Sequence, residues 1–244
     1  FNLRKALYEL AEDSPYQILC ATHSPLMIDI SKPHSSLVRI TKDGEEVTNA
    51  FQVGEEVFQK DEQRKQRVQM INRFNPHVCE AFYSDKVLLV EGDTETIVYR
   101  DLLNRYYPDE EMFVLNTGSK NNIPFFQEIL TSFQIEHYIV HDTDDRLNKA
   151  QNVNSAWTLN ERIAEKLQLA NDVKEGLARR YVHITNFEVA HGIELTGKDK
   201  PIKAYEYAES IKLEDNKPCL NWLKDIFGEQ EITHDQEFIE GNVK

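Results

Sequence analysis

The strongest signal for the fold class of this sequence is the stretch VLLVEGDTE, residues Val87–Glu95. It opens with a continuous apolar run, Val87–Val90, which is typical of a strand covered on both faces. Residues Thr94–Tyr106 follow with helical spacing. The stretch therefore predicts one strand–helix unit, with the acidic residues Glu91 and Glu95 at the junction between strand and helix.

The same alternation of strand and helix continues toward the C terminus. Further predicted elements are a strand at Met112–Leu115, a helix at Asn122–Phe133, a strand at Tyr138–Val140, a helix at Ser155–Leu169 and a strand at Tyr181–Ile184. Strands that alternate with helices at this spacing form an open, mostly parallel sheet with helices on both sides. The fold class predicted for this part of the chain is therefore α/β.

The sequence before Lys86 follows a different pattern. The predicted elements there are a helix at Leu3–Leu10, a short buried strand at Tyr16–Ala21, a hairpin of Ser36–Thr41 and Glu46–Val53, a charged helix at Glu55–Phe74 and a further helical turn at His77–Phe82. This change of pattern divides the chain into residues 1–53, a helical connector at 54–85 and an α/β domain at 86–244.

Composition limits the classes of protein that the chain can belong to. Hydrophobic residues make up 40% of its 244 residues, which allows a buried core and argues against wholesale disorder. No apolar run approaches the roughly 18–20 residues of a membrane span. The cysteines Cys20, Cys79 and Cys219 lie far apart without metal-ligand spacing, which indicates buried thiols in a reducing cytoplasm. The chain does not begin with Met, so we expect a fragment of a longer protein.

The net charge of −14 argues against a protein that simply coats DNA, since phosphate binding normally comes with a basic surface. Two interpretations remain open. The acidic residues either form a solvated surface on a protein with no nucleic-acid role, or some of them are metal ligands whose bound cations invert the local charge. The charge alone favours the first interpretation, and the order of the acids along the chain favours the second.

Acidic residues follow three of the four predicted strands of the α/β domain. Single loop acids are ordinary, because Asp and Gly favour turns and Glu caps helices. Carboxyl ends of parallel strands meet at one edge, however, and like charges there repel unless protonation or a cation relieves them. The acids at this edge are Glu91, Glu95, Asp142, Asp144, Asp145 and Glu188. Magnesium, which prefers oxygen ligands, suits such a set.

These residues carry a resemblance to a known domain. VLLVEGDTE, followed by a strand that ends in HDTDD (His141–Asp145), resembles the Toprim signature: an apolar strand ending in Glu-Gly, then a strand ending in Asp-x-Asp. Topoisomerases, primases and several nucleases share this domain. The resemblance implies a Toprim fold and divalent metal held on carboxylates for chemistry on nucleic-acid phosphates.

A second stretch narrows the resemblance. ATHSPLMIDI, Ala21–Ile30, resembles the strand and switch histidine near the end of an ABC-type ATPase domain, which would make His23 the residue that contacts the ATP γ-phosphate. An ABC-type tail followed by a Toprim domain resembles the OLD (overcoming lysogenization defect) family of ATP-dependent nucleases. Residues 1–53 would then be the C-terminal remnant of the ATPase domain. The phosphate loop is absent from this chain, so the resemblance implies ATP binding only through a missing upstream domain and a homodimer for the full-length protein.

The resemblance also assigns roles to the acids. It implies two Mg²⁺ or Mn²⁺ ions, the first held by Glu91 and Asp142 with Glu95 joining them, and the second held by Asp144 and Glu188. Asp145 is left open between a metal ligand and a solvated loop acid. Gly118 would let the backbone approach the cluster closely. OLD-type nucleases supply a catalytic lysine beyond the last acid, for which Lys200 is the first candidate and Lys203 the second.

The resulting hypothesis is a metal-dependent DNA endonuclease in a bacterial or phage cytoplasm, with a role in phage defence and a defence-system partner protein. A topoisomerase-like or primase-like enzyme is one alternative, although Tyr99, Tyr106 and Tyr205 have no context that marks a nucleophile. A non-catalytic Toprim binding module and a regulatory acidic fragment are the others. The presence of the full acid set argues against the binding module, which has no need of it.

Overall fold

The computed structural model describes residues 2–12, 15–28, 37–52, 76–195 and 197–243. The chain forms two compact units, residues 1–83 and residues 84–244. Within the described residues no helix is both long enough and apolar enough to cross a membrane.

The first unit contains a helix and a hairpin. Its elements are α1 (Asn2–Glu12), a 3-10 turn at Pro25–Met27, the strands β1 (Val38–Lys42) and β2 (Thr48–Gln52), α2 (Pro76–Glu80) and a 3-10 turn at Ala81–Tyr83. The strands are antiparallel, with Val38 opposite Gln52, which confirms the predicted hairpin. The carboxylate of Asp43 fixes the turn by accepting hydrogen bonds from the backbone N–H groups of Glu45 and Val47.

The strand predicted at Tyr16–Ala21 is wrong. Residues 16–24 have no regular structure, and Leu19 is 98% exposed. A strand needs a neighbour to satisfy its backbone hydrogen bonds, and the described residues provide none for this segment. The ABC-type remnant that rested partly on this strand is not confirmed. The predicted helix Glu55–Phe74 lies outside the described residues.

The second unit is built on a parallel sheet. Its strands are β3 (Lys86–Val90), β4 (Phe113–Asn116), β5 (Glu136–Asp142) and β6 (Ala178–His183). They lie in the order β4-β3-β5-β6, and every neighbouring pair is parallel. The consecutive residues Leu88 and Leu89 of β3, which face opposite sides of the sheet, are both fully buried, as expected of a strand covered on two faces. The predicted α/β fold with a parallel sheet is confirmed.

Helices connect the strands and cover both faces. They are α3 (Asp93–Tyr106), α4 (Ile123–Ser132), α5 (Ser155–Val173), α6 (Phe187–His191), α7 (Lys200–Ser210), α8 (Pro218–Ile226) and α9 (Gln236–Asn242). One core joins the sheet to α3, α7 and α8 through residues such as Val140, Leu102, Ala204 and Trp222. The helices α4 and α5 pack against each other and contact β5 and β6.

The last four helices follow ordinary start signals. The Asn186 side chain accepts a hydrogen bond from Val189 N at the start of α6, and Asp235 does the same for α9 by accepting from Phe238 N. Helices α7 and α8 each carry proline in the first turn, where the missing N–H has no cost. Through these helices the chain after β6 returns over the sheet and supplies part of the core around α3.

Candidate metal centre

Glu91 joins the ends of two neighbouring strands. It follows β3 directly, and its Oε1 accepts a hydrogen bond of 2.7 Å from the backbone N–H of Asp142 at the end of β5. The two strands are adjacent and parallel, so their carboxyl ends meet at one edge of the sheet. Both carboxylates therefore lie where the sequence placed them.

Glu95 reaches the same edge from the first turn of α3. Its side chain is 6% exposed. Glu95, Asp142 and His183 each offer a ligand atom, and these atoms lie within 4.8 Å of one another. This spacing is small enough for a single metal ion to touch all three residues.

Burial and mutual repulsion disfavour the charged forms of these acids. Burial, reinforced by the charge of Asp142, raises the pKa of Glu95 to about 7. Burial and Asp142 also raise the pKa of Glu91. The pKa of Asp142 is raised by burial and by the charges of Asp144 and Glu188. In the part of the chain that the structure describes, no lysine or arginine forms an ion pair with Glu91, Glu95 or Asp142. A divalent cation would relieve this repulsion, so the donor set fits a metal ion.

His183 contacts Asp142 from the interior, a role that the sequence analysis did not foresee. Its Nδ1 lies 3.1 Å from Asp142 Oδ1, and the ring is fully buried beside Phe187 and Trp222. Burial lowers the pKa of His183 to about 3, so the ring is neutral, and the tautomer with its proton on Nδ1 would donate that proton to the Asp142 carboxylate. The available signal was a histidine within the predicted strand Tyr181–Ile184.

Asp144 sits in a constrained turn after β5. Its φ of 61° is in the left-handed region, and its N–H donates to Thr185 O at 2.9 Å. Thr143 is fully buried and holds the same turn, because its Oγ1 accepts from Thr185 N at 2.8 Å. The pairing between β5 and the chain after β6 thus continues beyond the sheet and fixes the direction of the Asp144 side chain.

Lys120 is the second residue that the sequence analysis missed. It follows β4, is 4% exposed, and its Nζ lies 2.8 Å from Asp144 Oδ2. The same ammonium contacts the backbone oxygens of Asp142 at 2.5 Å and Thr143 at 3.3 Å. The only sequence signal was a lysine at a predicted strand end, beside Gly118, whose φ of 71° indicates a tight turn.

Glu188 and Lys200 form an ion pair of 2.7 Å. Burial acts to raise the pKa of Glu188, but the hydrogen bond from Lys200 and one from backbone outweigh it, and the net shift is downward. Lys203, the other lysine candidate, lies one turn further along α7 with an exposed side chain. Between the two lysines, the structure therefore brings Lys200 to the acids.

The remaining candidates lie elsewhere. Asp145 is exposed, and its backbone oxygen accepts from Asn154 Nδ2. His141 is fully buried in the sheet, and burial holds its pKa well below the usual range, so it is no ready base. His23 belongs to the first unit, where it is exposed and its ring centre lies 6.3 Å from that of Tyr83.

Comparison with known proteins agrees with this arrangement. Residues 82–144 match the family model described as "Overcoming lysogenization defect protein-like, TOPRIM domain". The chain is also similar to a protein from Thermus scotoductus (strain ATCC 700910 / SA-01) named OLD nuclease, with 26% identity over 228 residues that cover 86% of the chain. The chain spans about 40% of the length of that relative. The segment from the end of the first unit through β5 is therefore an OLD-like Toprim region.

Proposed function

We propose that this OLD-like Toprim region is the catalytic part of a metal-dependent endonuclease that cleaves DNA phosphodiester bonds with Mg²⁺ or Mn²⁺. The observation that carries the proposal is the convergence of the buried Glu95 with the half-buried Glu91 and Asp142 at one sheet edge, without a lysine or arginine partner among the described residues. A structural cluster of acids would be neutralised by such partners, whereas a catalytic cluster leaves room for ions and phosphate.

Each residue has a distinct task under this proposal. Divalent ions held here would activate water and stabilise the leaving oxygen of the phosphodiester. Glu91 and Asp142 hold the first ion with Glu95, and the Asp142 carboxylate is oriented by His183. Asp144 and Glu188 are the ligands proposed for a second ion.

Lys200 is proposed as the catalytic cation. Its ammonium lies at the edge of the cluster on a 43% exposed side chain, so it can turn from Glu188 to an incoming phosphate. A lysine in that place stabilises the charge that develops on the phosphate in the transition state. Lys203 remains the second choice.

The wider setting is also proposed. The Thermus scotoductus OLD nuclease extends well beyond the part that this chain matches. We propose that an ATPase domain upstream controls cleavage, that residues 1–53 are its C-terminal remnant with His23 as the ATP-sensing residue, and that residues 54–85 connect it to the nuclease domain. A homodimer, a defence-system partner protein and a role in phage defence in the cytoplasm belong to the same proposal.

A topoisomerase-like reaction is the main alternative, and the tyrosines disfavour it. Tyr99 is fully buried, and the hydroxyl of Tyr106 donates to Ile211 O at 2.7 Å. Neither offers a free nucleophile. Tyr205 is exposed, but its hydrogen bond with the Glu209 carboxylate raises its pKa and so disfavours the phenolate nucleophile.

The test is nicking of supercoiled plasmid DNA by this chain with Mn²⁺ or Mg²⁺. We expect nicking to depend on the metal and to be lost in Glu91→Ala, Asp144→Ala and Glu188→Ala. Glu165→Ala, which removes an exposed acid on α5, is the matched control and should cleave like the parent. Repeating the comparison in a longer protein that includes the proposed upstream domain tests whether that domain strengthens DNA binding. Equal cleavage there by the parent and by Glu91→Ala would end the nuclease hypothesis.

A further inference from the structure

The acids at the sheet edge fall into two classes by their partners. Asp144 is paired with Lys120 at 2.8 Å, and Glu188 is paired with Lys200 at 2.7 Å. Lysine thus already neutralises both carboxylates proposed for a second metal ion. The acids proposed for the first ion have no such ammonium among the described residues: Glu91, Glu95 and Asp142.

The two lysines differ in how firmly they are held. Lys120 is 4% exposed, and its three ammonium hydrogens face three oxygens, those of the Asp142 and Thr143 backbone and of the Asp144 carboxylate. Lys200 makes one contact with Glu188 and is 43% exposed. A buried lysine with every donor used can move only by leaving several acceptors at once, whereas Lys200 loses a single half-solvated contact.

We propose that Lys120 is a built-in cation that takes the place of a metal ion at Asp144, so that the protein free of nucleic acid binds one divalent ion tightly rather than two. This inference rests on the proposed metal-dependent function. The single resident ion would be held by Glu91, Glu95 and Asp142, whose carboxylates have no lysine or arginine in direct contact among the described residues. The charge of Lys120 acts on Glu91 and Asp142 without such a contact. A second ion enters weakly, together with the phosphate of the substrate, when Lys200 releases Glu188.

Charge arithmetic supports a single resident ion. The five acids carry five negative charges when they are all ionised, and Lys120 and Lys200 offset two of them. One divalent ion brings the net charge of the edge to −1. A second divalent ion would reverse its sign to +1, and a phosphate that arrives with that ion would restore the negative charge.

A purely structural role for Lys120 makes a different prediction. If Lys120 only braced the turn that carries Asp144, its removal would loosen the turn and weaken metal binding. If it occupies a cation position, its removal frees Asp144 and creates a new place for a metal ion. The number of ions bound per chain therefore distinguishes the two roles, which a melting temperature alone does not.

The experiment counts Mn²⁺ ions bound by the 244-residue chain without nucleic acid, by calorimetric titration and by the loss of the free-ion electron paramagnetic resonance signal. The parent should bind one ion tightly. Lys120→Met, which keeps length and removes charge, should bind a second ion roughly tenfold or more tightly than the parent does. Lys166→Met, which breaks an ion pair with Glu128 on the helices α4 and α5, is the matched control and should bind like the parent.

A second variant keeps the test decisive if Lys120→Met does not fold. Asp144→Asn should leave the single tight ion of the parent in place, since Asp144 is already neutralised by Lys120. Two tight ions in the parent, or loss of a tight ion in Asp144→Asn, would overturn the role of Lys120 while leaving the nuclease proposal intact. One tight ion in the parent with no gain in folded Lys120→Met would also overturn it. No Mn²⁺ binding by the parent would instead defeat the proposed function itself.

Discussion

The two ends of the parallel sheet differ in whether their buried acidic side chains have partners. At the carboxyl end, Glu91, Glu95 and Asp142 converge without a lysine or arginine partner among the described residues. At the amino ends of β5 and β6 lies a cavity of about 590 Å³ that is also lined by charged groups, among them Arg179 and Asp225. The size of the cavity alone would make the amino end the candidate site.

The charged side chains Asp225 and Arg180 at the amino end each have hydrogen-bond partners. Asp225 is buried and accepts hydrogen bonds from the Tyr181 hydroxyl and from Ile232 N, the latter at 2.9 Å, with Arg179 3.5 Å away. Arg180 donates to two backbone oxygens. Buried polar groups that are fully partnered stabilise a fold, whereas buried like charges without partners cost stability and persist where a ligand uses them. Acidic side chains without a lysine or arginine partner, rather than cavity volume, therefore distinguish the carboxyl end of the sheet as the candidate functional site.

The largest effect expected from this contrast is on metal stabilisation. A metal ion that binds only the folded state raises the free energy of unfolding by about 2.7 kcal/mol when its concentration is about 100 times its dissociation constant. This corresponds to several degrees in melting temperature for a domain of this size. Asp142→Ala should abolish most of that shift, because Asp142 is central to the cluster. Thermal unfolding with and without millimolar Mg²⁺ or Mn²⁺ measures it. An unchanged melting temperature in the parent across this range would count heavily against a metal site.

The amino end should respond in the opposite manner. Asp225→Ala removes the acceptor of the Tyr181 hydroxyl and of Ile232 N, and it should lower the free energy of unfolding by about 2 kcal/mol. The metal-induced increase in melting temperature should remain as in the parent. Chemical denaturation at several metal concentrations separates the loss of stability caused by the substitution from the stabilisation caused by metal. If Asp225→Ala lost the metal shift while keeping its fold, the two ends would not be independent.

Sequence reasoning succeeded where position along a strand determined the outcome. The apolar run before Glu91 fixed the end of β3, and the parallel alternation brought Asp142 beside it. It failed where a long side chain decides the contact. Lys120 crosses from the end of β4 to the turn after β5, and no spacing in the sequence encodes that reach.

A second kind of failure came from partners distant in the sequence. The segment Tyr16–Ala21 has the composition of a buried strand, but no described strand lies beside it, so composition alone misled. His183 shows the converse case. Its ring lies beside Asp142 because the two residues are opposite each other in the β5–β6 register, and it packs against Trp222 from α8, a helix that the sequence analysis did not place.

The pH dependence of stability sharpens the contrast at a single residue. The pKa of Glu95 is raised from 4.5 to about 7 by burial and by the charge of Asp142, so the metal-free folded state holds more protons than the unfolded state between these values. The stability associated with protonated Glu95 is therefore present below about pH 4.5 and is lost as the pH rises through about 7. The variant Glu95→Gln cannot ionise at this position, so it does not lose stability in this way as the pH rises.

Without metal, Glu95→Gln should become more stable than the parent by about 2 kcal/mol as the pH rises from about 5 to about 8. Comparing the two proteins cancels the titration of the buried histidines, which both share. Denaturant titrations at several pH values, with a chelator present, provide the measurement. With saturating Mn²⁺ the order should reverse, since the ion binds ionised Glu95. A difference that does not vary with pH would show that the pKa of Glu95 is not raised in the folded protein.

The smallest effect should separate the two lysines of α7. Lys200 lies 2.7 Å from Glu188 in a partly exposed pair, so Lys200→Ala should change the free energy of unfolding by less than about 1 kcal/mol. Cleavage should nevertheless slow by about tenfold, because the proposed role of Lys200 is to stabilise the charge of the transition state. Binding of the tight metal ion should be unchanged, since that ion does not involve Glu188. Lys203→Ala is the matched control on the same helix and should cleave like the parent. If Lys203→Ala slows cleavage and Lys200→Ala does not, the catalytic lysine is Lys203, and the ion pair at Glu188 is only structural.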